Sequence, residues 1–253
     1  VFLGIETPDE ASLALTKKYQ NTRSSLSESV DKIIRAGLRP MAGFIIGFDG
    51  EKSGAASRVI EFVDQAGIPT AMLGMLQALP NTGLWHRLDK EGRLLADREN
   101  ISQHATNQTM LMNFIPTRPV EEIAAEYIQA FRTLYEPDRY LDRTYNCFLK
   151  LGAPRSKTPF KTPEFVDLRA LAIIIWRQGI KRSTRWKFWH HLFGILRHNP
   201  AVWEHYLTVC AHNEHFLEYR DIVTAEITQQ LENFKKVESA ELPPAELLSE
   251  VTA

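Results

Sequence analysis

Three apolar runs punctuate the first third of the chain, and each ends in polar or turn residues. Val1-Phe-Leu-Gly-Ile stops at Glu6. Gly43-Phe-Ile-Ile-Gly47-Phe stops at Asp49-Gly50-Glu51. Ala71-Met-Leu-Gly-Met-Leu stops at Gln77, shortly before Pro80-Asn81-Thr82. Short apolar runs bounded by turn signals read as buried strands. Between them the pattern becomes helical. Thr7-Pro8-Asp9-Glu10 offers a cap, a first-turn proline and a capping-box carboxylate, and predicts a helix to about Lys18. Ser25-Leu-Ser-Glu28 predicts a second helix, with Val30, Ile33 and Ile34 on one face and Gly37 as its stop. A third, after Gly50 and Ser53, turns Val59, Ile60, Phe62 and Val63 inward and ends at Gly67. A short fourth covers Thr82 to Lys90, stopped at Gly92. Strands alternating with helices predict a parallel βα repeat, which places its chemistry where the strands end.

From about Arg93 the pattern changes. Asp97 to Pro116 is polar and weakly periodic, as expected of a long loop lying over something. Pro119 then opens an amphipathic helix whose stripe is Val120, Ile123, Ala124, Tyr127, Ile128, Phe131 and Leu134, ended by Pro137. Tyr140 to Leu151 reads as another. The proline-bearing, basic stretch 152–163 reads as a linker. Helices are expected over Thr162–Gln178, Ser183–His198, Asn199–Ala211 and Glu214–Lys236, and the acidic 237–253 as a disordered tail. The expected units are 1–95, 96–152, 163–236 and 237–253. The chain opens within a strand, without Met, which leads us to expect the C-terminal portion of a longer protein.

Composition narrows little. Of 253 residues 44% are hydrophobic, ample for a core. A net charge of −1 gives no overall pull on a polyanion. Cys147 and Cys210 fit no metal-site spacing and read as small buried side chains of a reduced, cytoplasmic protein. The longest apolar run, Ala170 to Trp176, is far short of the ~20 residues that span a bilayer.

The candidate chemistry lies at the strand ends. Glu6 either accepts hydrogen bonds from ligand hydroxyls or favours the helix start that follows it. Gly43 and Gly47, four apart, share one strand face, so either a ligand approaches the backbone there or the strand bends. Glu51 most simply stabilises the following helix. A Walker-type phosphate loop is disfavoured, since no Lys-Ser/Thr follows Gly50. Gln77 either binds a ligand or joins a polar layer. Pro80-Asn81-Thr82-Gly83 reads as a structural turn.

As a set, these residues resemble a family. Gly4-Ile-Glu6-Thr-Pro, Gly43-Phe-Ile-Ile-Gly47-Phe-Asp and Ala78-Leu-Pro80-Asn-Thr82 are similar to the later strands of radical S-adenosylmethionine (SAM) enzymes. They look most like the cobalamin-binding, hopanoid methylase-like class. Leu88-Asp-Lys-Glu-Gly92-Arg-Leu-Leu, Asn113-Phe-Ile-Pro116 and Tyr127 to Tyr140 resemble the uncharacterised domain that follows the barrel there. The resemblance covers roughly 1–150, and 160–253 resemble nothing recognised. It implies an α/β fold, a partial (β/α)6 barrel of three parallel strands followed by an α-helical accessory region. It implies that Glu6 binds the ribose hydroxyls of SAM, that Ile45 and Gly47 pack near its adenine, and that Gln77, Ala78 and Leu79 make backbone contacts to the adenine. It implies a [4Fe-4S] cluster on a Cys-x3-Cys-x2-Cys loop and a cobalamin domain, both absent from this chain. The implied reaction is radical methyl transfer to an unactivated carbon of a small-molecule or lipid-like substrate. Without cluster thiolates the chain alone is expected to be inactive. No acid or base catalyst is expected in it.

Residues 168–203 contain no Asp or Glu, but carry Arg169, Arg177, Lys181, Arg182, Arg185, Lys187 and Arg197 among Trp176, Trp186, Phe188, Trp189 and Phe193. A packed helical domain with a solvated basic face is the favoured reading. Peripheral contact with an anionic membrane through 177–198 is the sharper one, and nucleic acid on the aromatics the least favoured. Two rivals stand beside the methyltransferase: a methylthiotransferase-like relative and a non-catalytic helical binding module.

Overall fold

The computed structural model describes residues 1–8, 25–95, 108–152 and 165–241. The expected helix up to Lys18, the 152–163 linker beyond Gly152 and most of the acidic tail lie outside them. Three strands, β1 (Phe2–Glu6), β2 (Met41–Ile46) and β3 (Thr70–Met75), form one sheet in the order β1-β2-β3. Both pairings are parallel, as the alternating pattern predicts. The helices between them are α1 (Leu26–Arg35) and α2 (Ala55–Ala66), and α3 (Gly83–Lys90) follows β3. Their ends follow local rules. The Ser25 hydroxyl accepts from the Glu28 N–H at 3.4 Å, and Thr82 caps α3 through the Trp85 N–H at 3.2 Å. Gly67 closes α2 at φ 69°, a left-handed conformation that suits glycine.

The helical region contains α4 (Val120–Leu134), α5 (Pro137–Lys150) and α6 (Phe165–Trp176), a π-helical segment (Arg177–Lys181), then α7 (Arg185–His198) and α8 (Trp203–Glu241). α8 is one continuous helix where the sequence suggested two. The polar stretch Ala211 to Glu214 looked like a break, yet Asn213 is fully buried within the helix. Where a helix was expected to reach Gln178, the backbone widens into the π segment, and the Trp189 indole N–H bonds the Gly179 carbonyl at 2.9 Å. No helix among the described residues is long and apolar enough to cross a membrane.

One core runs through both regions. One face of the sheet, with Ile5, Ala42, Phe44, Ile46, Ala71, Leu73 and Met75, is buried in the same cluster as Val59, Ile123, Tyr127, Phe148, Ile195 and Tyr206. Arg143 of α5 pins the two regions together. Only 2% exposed, it bonds Asp64 of α2 at 2.8 Å and the Leu134 carbonyl at 2.8 Å.

The other face of the sheet departs from expectation. It carries Phe2, Gly4, Met41, Gly43, Ile45, Met72, Gly74 and Leu76, all half-buried or exposed. Phe2 is 58% and Met72 41% exposed. A sheet face turned to water is normally polar; this one is apolar and lined with glycine. The long apolar runs in the sequence reflect both faces.

The edges also differ. Leu76 N–H bonds the Ile46 carbonyl, so alternate residues of β3 point to β2 and the others outward. Two outward carbonyls are taken by tyrosines of α4 and its C-terminal cap: Ala71 by Tyr135 at 2.5 Å, and Leu73 by Tyr127 at 3.0 Å.

Candidate functional site

All three strands end on one side, where Glu6, Gly47 and Gln77 follow one another across the sheet. Strand spacing sets the two outer positions about 10 Å apart.

Glu6 adopts φ 69°, in a left-handed region that L-residues rarely visit. The Thr7 N–H bonds the Ile5 carbonyl at 2.9 Å, which makes Glu6 the centre of a γ-turn. The pairing of β1 with β2 slips at this point. A carboxylate on such a strained turn is held in place by the surrounding fold, as residues at functional sites often are. The sequence gives no sign of this strain.

Gly47 has φ 100°, and a Cβ there would come within 2.8 Å of Met112 Sδ and 3.4 Å of Ile123 Cγ2. On that side the chain itself fills the space left open for a ligand. Gly43 likewise lies against the Phe2 ring, 3.0 Å from where a Cβ would sit. Ile45 is half-buried on the open apolar face.

Glu51 does not serve the following helix. Its Oε2 accepts the Gly47 N–H at 2.8 Å and folds the loop back on itself. The start of α2 is capped instead by Glu126 of α4, which accepts from Gly54 N–H at 2.8 Å and Ala55 N–H at 3.1 Å and pairs with Arg118 at 2.6 Å. Burial, only partly offset by the Gly47 N–H, pushes the Glu51 carboxyl up to about 7. Desolvation also raises Asp49, but Arg93 and Arg87 outweigh it and hold its carboxyl low. Arg93 forks onto both Asp49 oxygens at 2.8 and 3.0 Å.

Gln77, Ala78 and Leu79 lie beyond β3, which ends at Met75. The Gln77 amide donates to the Leu111 carbonyl at 3.1 Å. Its Oε1 is buried without a partner among the described residues. Both backbone groups of Ala78 are taken by the Asn113 side chain, at 2.8 and 2.9 Å. This donor–acceptor pair resembles the edge of a nucleobase. Leu79 is exposed, and its carbonyl accepts from Thr82 Oγ1 at 2.7 Å. The described part of the predicted loop does lie over something: Leu111, Met112 and Phe114 are buried across these strand ends. Gln230 of α8 holds the loop from behind, accepting from Leu111 N–H at 2.9 Å and donating to the Thr109 carbonyl at 2.6 Å.

No group of three or more His, Cys, Asp or Glu that could hold a metal occurs among the described residues. Cys147 and Cys210 are buried, and burial pushes both thiols up to about 12.

The chain is 65% identical to an uncharacterized methyltransferase of Synechocystis sp., over 99% of this chain and 47% of that protein. It is 29% identical to a hopanoid C-2 methylase of Rhodopseudomonas palustris, over 87% of this chain and 40% of that one. The chain thus spans less than half the length of either relative. Residues 82–229 match a family described as a domain of unknown function, DUF4070. The match takes in α3 through most of α8, including helices in which the sequence showed no resemblance. It covers more than half of the chain, and the protein belongs to the DUF4070 family.

Proposed function

We propose that this chain forms the SAM-binding C-terminal part of a radical methyltransferase that relays the methyl group through cobalamin. A methylase-like function is supported at a coarse level by relatives named as methyltransferases. The observation that carries the finer reading is Glu6, a carboxylate on a strained turn at the mouth of a parallel sheet.

The residues at the mouth fit SAM in three respects. Glu6 offers acceptors for vicinal ribose hydroxyls. The unpartnered Gln77 Oε1 offers an acceptor for a nucleoside N–H or O–H. The half-buried apolar face at Ile45 and Gly74, beside the Phe2 ring over Gly43, gives a ring a surface to lie on. Asn113 holds the Ala78 backbone in place and is a positioning residue. When bound, SAM supplies the methyl group and, on reductive cleavage, a carbon radical. The residues of this chain do not fit an iron–sulfur cluster, nor do they single out a cobalamin site. Those groups would have to be held outside it, and no step is derived through them. The substrate would be a small or lipid-like molecule with an unactivated carbon. The predominantly helical region after the sheet, among the described residues, argues against the methylthiotransferase alternative.

Titration of the full-length protein with SAM tests the reading. Glu6→Gln should weaken binding roughly tenfold or more, as expected when hydrogen bonds to a charged acceptor are lost. Equal affinity in wild type and variant would remove Glu6 from the site and the proposal with it.

A further inference from the structure

The basic, aromatic stretch sorts its charges in the folded chain. Arg182 turns inward to Glu214 at 2.6 and 2.9 Å, and Lys187 to Asp142 and Asp138 at 2.8 and 2.9 Å. Arg177 reaches Glu214 only at 3.8 Å. Arg169, Lys181, Arg185 and Arg197 are exposed and have no ion pair among the described residues. The same helices expose large apolar side chains: Trp186 is 74%, Phe193 63% and Trp176 60% exposed, with Ile180 and Leu196 also open.

These groups are neighbours. Phe193 stacks on Trp189 with ring centres 6.0 Å apart. Trp189 bonds the carbonyl of Gly179, the residue before Ile180. Arg185 lies over the Trp186 ring at 5.8 Å. Arg169, Ile173 and Trp176 of α6 and Arg177 and Lys181 of the π segment line one shallow cavity. α7 packs inward on α5, α8 and the π segment, with Phe188, Leu192 and Ile195 buried behind its exposed side chains.

We propose that the exposed face of α6, the π segment and α7 docks on an anionic lipid bilayer surface. The chemistry is that of an interfacial helix: tryptophan and phenylalanine enter the headgroup boundary, and arginine and lysine meet the lipid charge. A second copy fits poorly, because a two-fold contact would set this acid-free basic patch against itself. Burial against a neutral protein face would leave unpaired guanidinium groups desolvated. The proposal goes beyond the methyltransferase reading and does not depend on it.

Sedimentation of the full-length protein with phosphatidylcholine vesicles, with and without phosphatidylglycerol, tests it. Pelleting should occur with the anionic vesicles and fall with added salt. Arg185→Glu with Arg197→Glu should weaken it by at least roughly 25-fold, since each lost cation near the surface is worth about fivefold. Trp186→Ser with Phe193→Ser should also weaken it while leaving the melting temperature unchanged, because both side chains are exposed. No pelleting with anionic vesicles overturns the proposal. So does pelleting that is equal on neutral vesicles or indifferent to both double variants. A dimer in size-exclusion chromatography that Trp186→Ser dissolves would likewise overturn it, by assigning the patch to a second copy.

Discussion

The strand-end mouth and the stretch from α6 to α7 use polar groups in opposite ways. At the mouth, nearly every polar group already has a partner within the chain: Gly47 has Glu51, Ala78 has Asn113, and Asp49 has Arg93. Across α6, the π segment and α7, four exposed cations have no ion pair among the described residues, and three large aromatic side chains are exposed beside them. The first region is built to hold its shape, and of these mouth groups Gln77 Oε1 is the one buried without a partner among the described residues. The second offers area and charge, which suits an extended surface.

The contrast can be broken at the pin between the two regions. Arg143→Met should destabilise the whole chain by about 3 kcal/mol in urea unfolding, because a buried charge-pairing network loses its centre. Sheet and helices should unfold together; separate transitions would mean that the shared core does not couple them.

A change at the mouth alone should cost less. Gly47→Val meets both the positive φ and the Met112 sulfur, and a loss of about 2 kcal/mol is expected. Thermal unfolding that matches wild type would contradict the packing described for Met112.

The smallest effects should appear in pH profiles, and they sharpen the comparison because the regions oppose each other. Burial holds Glu51 neutral up to about 7, so the folded state binds the extra proton between 4.5 and 7. Its contribution to stability therefore falls as pH rises through that window. His191 is different. Burial, helped by Lys187 and His190 and opposed by Asp142, lowers it to about 4. The unfolded state then binds the extra proton between 4 and 6.5, so stability rises with pH there. Glu51→Gln should expose the rising slope and His191→Phe the falling one, each by about 1 kcal/mol per pH unit within its window. Unfolding free energies at pH 4.5, 5.5 and 7 decide it; parallel profiles for both variants would show that neither group titrates as described.

Much of the fold was legible because its signals are local. Ser25, Thr82 and Gly67 mark helix ends within a few residues of themselves, and the apolar runs mark strands. The site was legible in position but not in detail, because its partners lie far apart along the chain. Asn113 meets Ala78 across 35 positions, and Glu126 reaches Gly54 across 72. No local pattern links such residues. Nor does composition signal that Glu6 sits at φ 69°. The false break near Ala211 has a similar cause: a polar cluster reads as exposed, yet Asn213 is enclosed by neighbours distant in sequence.

The tyrosine hydroxyls on Ala71 and Leu73 carry a further consequence. With those carbonyls engaged, the β3 margin is poorly suited to recruiting another strand, and the sheet is terminated there. Extension has one direction left, alongside β1. Any added β-segment, native or stray, would therefore build outward from Phe2 and lengthen the apolar floor that Gly4, Gly43 and Met72 begin.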